Sequence, residues 1–361
     1  MKQRMRWMLG ASLLVGCTTE PRGASQGGKV YVAEEGSGSI AVLDIQTNAL
    51  LTSVTLDDPS TGATFAPHNV QVAPDGRSVW VTAPPAEPEG EDHGGGGHGG
   101  APEPSEQVIV LDPVTDTIAA RLDVGSGLHL AHVILDPESR FAYATSNEAS
   151  SVLRIDAGSR RVVARYELGE DRMPHGLRFC AGRLFVANMD GKSVSVVAPE
   201  TGESEEVPLG GIAVQTACSP DGRFAFVSLY DTREVVRLET SSLTVERTSL
   251  PDGSQGPVQL YPSPDGRRLY VCDQGNLLGR PPSNRLYELD VESMSVVATI
   301  EVGRGAHGVV VSDDGAYAYV TNIVDGTVSV VDTETRSVWA TLDVGEAPNG
   351  VSHWHVTGGM P

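Results

Sequence analysis

Positive charge is what this chain of 361 residues has least of. Lys and Arg together number 26 against 47 Asp and Glu, for a formal net charge of −21. With no basic field to collect phosphates, nucleic acid is excluded as a partner. Cations and basic partners remain compatible, although a solvated exported surface accounts for the same balance. No apolar run is long enough to span a bilayer, Trp7 to Val15 being too short. Cysteine is scarce, with 4 in the chain and none in a CxxC pair. The familiar catalytic signatures are missing too. There is no GxSxG elbow, no HExxH, no CxxCH for c-type haem and no glycine-rich phosphate loop.

What the chain does have is repetition. Residues 306 to 345 read AHGVVVSDDGAYAYVTNIVDGTVSVVDTETRSVWATLDVG, four short runs of alternating apolar residues broken by Asp-Gly and Gly turns. Period-2 alternation with β-branched and aromatic residues predicts four antiparallel strands in a meander. A first column recurs at His68, Ala131, His175, Val214, Val258, His307 and Asn349. The spacing is roughly 40 to 49 residues apart from one gap enlarged by an insertion, which is the period of a propeller blade. The second strand recurs as YVAE, WVTA, YATS, FVAN, FVSL, YVCD and YVTN, and the third as IAVLD, VIVLD, VLRID, VSVVA, VVRLE, LYELD and VSVVD. Asp44, Asp112, Asp156, Asp290 and Asp332 close the third strand of five repeats, which marks a turn-forming residue and not a catalytic acid.

The columns YVTN, VSVVD and PHGV with SPDG resemble the YVTN-repeat β-propeller family, YncE-like, over residues 29–356. The resemblance implies an all-β, seven-bladed propeller of four-stranded antiparallel blades and no single activity, because its motifs are structural. The first repeat lacks its first strand and the chain ends on an unpartnered one, Gly350 to Val356. Placed beside Val30–Ala33, this C-terminal strand should close the ring and remove the free edges.

The first 16 residues read as a signal peptide, with Lys2, Arg4 and Arg6 before the apolar run. Leu14-Val15-Gly16-Cys17 resembles a bacterial lipobox, so Cys17 is expected to carry lipid, with residues 17–28 a flexible tether and 357–361 a short tail. Cleavage removes three basic residues and takes the formal charge from −21 to −24. Thr18 in place of Asp favours the outer membrane of a cell envelope by the same resemblance. The remaining cysteines, Cys180, Cys218 and Cys272, read by default as small buried hydrophobes. The alternative is a Cys180–Cys218 bridge between neighbouring blades.

Antiparallel connectivity gathers every unusual insertion on one face: residues 57–67, 273–285 and 84–106. That face is expected to do the binding. Residues 84–106 have no apolar core, read as disordered, and carry His93 and His98 among Glu and Asp. They are either a solvated acidic linker or a flexible collector of divalent metal. His68, His175, His307 and Asn349 occupy the first column of the innermost strands. His132, Gln215 and Gln259 sit one residue later, and His129 lies just before. Adjacent strand positions point to opposite faces, so these two sets are not expected to project alike. His68, His132 and His175, joined by His93 and His98, are the candidate ligands for Zn or Cu at the channel mouth. The resemblance offers the plainer role, a hydrogen bond from the PHG histidine to a neighbouring blade. His353 and His355 share one face of the closing strand, where they either chelate or pack. The reading is a monomeric, lipid-anchored scaffold for a small ligand or an envelope protein. Its alternative is a lactonase-like enzyme or a haem or copper redox module.

Overall fold

The computed structural model describes residues 28–86 and 105–354. It is a seven-bladed β-propeller of seven four-stranded antiparallel sheets. The innermost strands are Pro348–Trp354, Asn69–Val72, Leu130–Leu135, Pro174–Cys180, Ala213–Cys218, Pro257–Pro262 and Ala306–Val311, numbered here as blades 1 to 7. Blade 1 is the composite one, with the C-terminal strand beside Lys29–Glu34 and pairs from Lys29↔Trp354 to Glu34↔Pro348. The first three strands of each blade are largely buried, and the fourth is mostly exposed, as in Ala49–Thr55. Apolar side chains of facing sheets fill the spaces between blades. Val30, Val32 and Leu43 of blade 1 pack with Val310, Tyr319 and Val328 of blade 7. The five Asp residues that close third strands are turn formers as expected. Asp44 Oδ1, for example, accepts from the N–H groups of Gln46 and Thr47, at 2.8 and 2.7 Å.

One recurring irregularity decides where the channel side chains point. At the start of six innermost strands the register shifts. In blades 1 and 3 to 7 two residues there oppose one on the second strand, which is a β-bulge. In blades 3, 5 and 7 a second-strand hydroxyl, of Thr145, Ser228 or Thr321, fills the gap, whereas Ala33, Ala187 and Cys272 stand there in blades 1, 4 and 6. Thr145 Oγ1 accepts from His132 N at 3.0 Å and donates to His175 O at 2.6 Å. Thr321 Oγ1 does the same between Gly308 N at 2.7 Å and Asn349 O at 2.8 Å. These two hydroxyls tie one blade's bulge to the next blade's backbone. In unbulged blade 2, Thr82 Oγ1 likewise joins Asn69 N to Ala131 O.

The cysteines depart from their default reading. Cys180 and Cys218 end the neighbouring innermost strands of blades 4 and 5 and form a disulfide with Cα atoms 5.5 Å apart. The parallel run of adjacent inner strands brings equivalent columns within bridging distance. Cys272 is the free cysteine among the described residues and is buried, as expected.

Candidate metal centre and ligand cavity

The bulges correct the expectation that the two histidine columns diverge. His175 is the first residue of its bulge and His132 the second of its own, and the extra residue turns both toward the axis. After His175, His307 and Asn349 the second residue of the bulge is glycine, for lack of space. A Cβ on Gly176 would lie 1.8 Å from Gln215 Oε1. The structure therefore brings His68, His132 and His175 together, with candidate ligand atoms all within 4.8 Å of one another. Ring centroids are 5.5 Å apart for His68 and His132, 5.2 Å for His68 and His175, and 4.8 Å for His132 and His175.

The hydrogen bonds fix which nitrogens are free. His175 Nδ1 lies 3.0 Å from Val214 O, and a carbonyl only accepts, so Nδ1 carries the proton. His68 Nδ1 lies 3.2 Å from Glu35 Oε1. Burial pushes the Glu35 carboxyl up, but His68 and the hydrogen bonds from His68 and Asn349 outweigh it and hold it at about 2. Glu35 is thus an anion that demands N–H at His68 Nδ1. His175 Nε2 is left as a lone pair and faces His68 Nε2 at 3.2 Å, a hydrogen-bond distance when His68 carries a proton there. Two lone pairs at that distance repel unless a proton or a cation lies between them. Nitrogens bound at 2.0–2.1 Å to one tetrahedral ion stand about 3.3 Å apart.

His132 is placed differently. Gln215 Oε1 accepts from Thr216 N at 2.9 Å, which orients the amide so that its Nε2 donates to His132 Nδ1 at 3.3 Å. The His132 proton then sits on Nε2, which has no partner. To serve as a third ligand through Nε2, His132 must move that proton to Nδ1 and Gln215 must turn its amide over. Burial and the neighbouring His175 and His68 push His132 well below the usual imidazole range, and burial and His68 bring His175 down to about 3. These buried imidazoles stay neutral at pH 7, as ligands must be.

Beside the three histidines opens a cavity of about 420 Å³. Its polar wall is Glu35, His68, His175, His307, Gln274 and Asn349, and its other wall is apolar, with Ile212, Val214, Val258, Leu277, Leu278 and Ile323. His307 Nδ1 meets Gln274 Oε1 at 3.0 Å, which leaves its Nε2 a buried acceptor without a hydrogen bond. Gln215 contacts His132, Asn349 contacts Glu35 and His68, and the side-chain nitrogen of Gln259 is buried without a partner. His129 is exposed and stands outside the cluster, because Glu106 binds its backbone N–H and holds the residue at a turn. His353 is buried with Nδ1 3.7 Å from Asp313 Oδ1, away from this cavity. Cys17, His93, His98 and His355 lie outside the described residues.

The motifs did not single out Glu35, Gln274, Leu277 or Leu278. Glu35 had a signal, the doubled acid at Glu34-Glu35 after the YVA run. Glu34 turns away to accept from Gly345 N at 2.6 Å and from Ser39, which leaves Glu35 to His68.

No protein-family model matches this chain, and no curated protein does. Solved structures match over most of its length. A functionally unknown protein from Desulfotomaculum acetoxidans is similar at 15% identity and TM-score 0.69, covering 91% of this chain and 99% of its own. Kuenenia stuttgartiensis hydrazine synthase is similar at 18% and 0.67, covering 84% of this chain and 92% of its own. Virginiamycin B lyase from Staphylococcus aureus is similar at 14% and 0.63, with 81% and 92% covered. Identities this low speak for the β-propeller fold alone.

Proposed function

We propose that this protein is a YncE-like, lipid-anchored propeller of the bacterial cell envelope that binds one divalent transition-metal ion at its channel mouth. The ion serves as the polar anchor for a small ligand, and the chain is a binding scaffold. The observation that carries this reading is the convergence of His68, His132 and His175, with His68 Nε2 and His175 Nε2 3.2 Å apart and each Nδ1 of that pair already committed. Glu35 behind His68 and the Val214 carbonyl behind His175 are the acceptors that metal-bound imidazoles ordinarily have. Imidazole suits Zn²⁺ or Cu²⁺. The lipobox at Cys17 supports the anchor. A Cys17→Ser protein that still carried fatty acyl groups would contradict it.

Titration calorimetry of the full chain with Zn²⁺ and Cu²⁺ tests the centre. Removing a carboxylate behind a ligand typically costs 10–100-fold in affinity, so Glu35→Gln should weaken binding by about that much. His68→Ala and His175→Ala remove ligand atoms and should weaken it by more than about 100-fold. Affinity weaker than millimolar in the native chain, or unchanged in both alanine variants, would show the histidines to be structural. Replacing His93 and His98 with Ala asks whether they contribute, and it spares Glu106, which holds the backbone of Leu128, His129 and Leu130. Because burial and His68 already hold His175 at about 3, no proton has to leave this ligand in the neutral range. Its share of the affinity should therefore persist well below the 6.5 of a free imidazole.

A further inference from the structure

The cavity beside the histidines has a chemical character of its own. Among the described residues that line it there is no Lys, Arg or Asp, and Glu35 is the one carboxylate. A divalent ion with Glu35 as its one anion among these residues leaves one positive charge facing an apolar wall. An uncompensated charge there is costly, and a monoanion that coordinates the ion would cancel it. The volume of about 420 Å³ corresponds to roughly 14 waters at 30 Å³ each, room for a head group and a medium-length hydrocarbon body.

The loop over the cavity points the same way. Leu277 is 46% exposed and Leu278 is 63% exposed, in an insertion otherwise composed mainly of polar residues, Gly and Pro. Leu278 also has φ of +53°, a left-handed conformation uncommon for a leucine. Nothing about this loop is slack. The Arg280 guanidinium donates to Tyr230 O, Gln255 O and Asp231 O at 2.9, 2.9 and 2.8 Å. The Tyr230 hydroxyl accepts from Leu277 N at 3.1 Å and donates to Leu277 O at 3.2 Å. Two leucines are thus held rigidly in a place that exposes them and strains one of them. Neither feature serves the blade beneath, and both make sense as one wall of an apolar binding site.

We propose that the cavity binds a small amphiphilic monoanion, a carboxylate on a hydrocarbon body, with its head on the ion at His68 and His175 and its body against Leu277 and Leu278. This rests on the metal reading above. A hydroxyl on the body near the head would supply the donor that His307 Nε2 lacks, so hydroxylated acids are the tighter members of the class.

The test is a homologous series titrated into the Zn²⁺-loaded full chain: acetate, hexanoate, octanoate and decanoate, with 1-octanol as the uncharged control. Each added methylene should tighten binding about 4-fold until the cavity is full. Octanoate should bind at least 10-fold tighter than 1-octanol with Zn²⁺ present, and that advantage should vanish in metal-free protein. Leu278→Asn places at a left-handed position a residue that tolerates it, so folding should be unharmed. It should weaken octanoate about 10-fold and leave acetate and Zn²⁺ binding as they were. If Zn²⁺ binds but octanoate is no tighter than acetate, or 1-octanol matches octanoate, the ligand class is wrong while the metal reading stands. If Zn²⁺ itself does not bind, both fall. Loss of lipid-vesicle binding in Leu278→Asn with octanoate affinity unchanged would assign the leucines to a membrane surface and also overturn the proposal.

Discussion

A chain ending at Ala347 should not fold to a closed ring. The strand Pro348–Trp354 is the innermost of blade 1, and the strand it pairs with, Lys29–Glu34, lies at the opposite end of the sequence. Its removal leaves Val30, Tyr31 and Val32 paired on one side only, with Leu43, Val42 and Ala41, and exposes an edge in the middle of the protein. It also deletes contacts to the neighbouring blade. Ser352 Oγ accepts from Val72 N at 3.0 Å, and Trp354 Nε1 donates to Gly76 O at 2.7 Å. Asn349, Val351, Ser352 and His353 are all buried, so their loss opens the channel wall as well. Domains are stable by only about 5–15 kcal/mol, and losing an inner strand's ladder and packing should consume most or all of that. Circular dichroism melts of the truncated chain should lack a cooperative transition, and a synthetic peptide of residues 348–354 should restore one by strand addition. A truncated protein that melts like the full chain would show that the ring closes without this strand.

That closure was legible because it depends on the order of repeats, and order survives in sequence. A missing first strand at one end and a spare one at the other can be counted. The assembly of the metal site was less legible, because a period-2 argument cannot see a bulge. His132 sits one column later than His175 in the repeat, and strict alternation sends them apart. The extra residue that turns them together has a sequence correlate only in retrospect. In some blades it is a Thr or Ser in the second strand, as at Thr145 and Ser228, whose hydroxyl accepts the bulged N–H, but opposite the His175 bulge stands Ala187, which carries no such signal. The His68–Glu35 contact was hidden for a different reason. Its partners come from blades 1 and 2, 33 residues apart in the chain, and the doubled acid that supplies it splits between two tasks. The apolar loop at Leu277 and Leu278 was noticed as an enlarged insertion and not for what it carries. Only its anchoring by Arg280 shows that the two leucines are held in place.

The disulfide should be worth more to stability than any other single pair of side chains. Cys180 and Cys218 are separated by 38 residues, a loop whose closure restricts the unfolded chain by about 4 kcal/mol in the chain-entropy account. The bridge joins the far ends of the inner strands of blades 4 and 5, whose near ends carry His175 and its acceptor Val214 O. A double Cys180→Ser, Cys218→Ser variant should therefore lose about 4 kcal/mol to guanidinium unfolding, with the midpoint lowered and the slope little changed. Reductant should reproduce the loss in the native chain and do nothing to the variant. Cys272 should remain silent in both titrations, since burial pushes its thiol well above the ordinary range and keeps the reactive thiolate from forming. Bridges of this kind persist in oxidising compartments, which fits the cell-envelope location proposed above. If the double variant unfolded at the same guanidinium concentration as the native chain, the two inner strands would be held by blade packing alone.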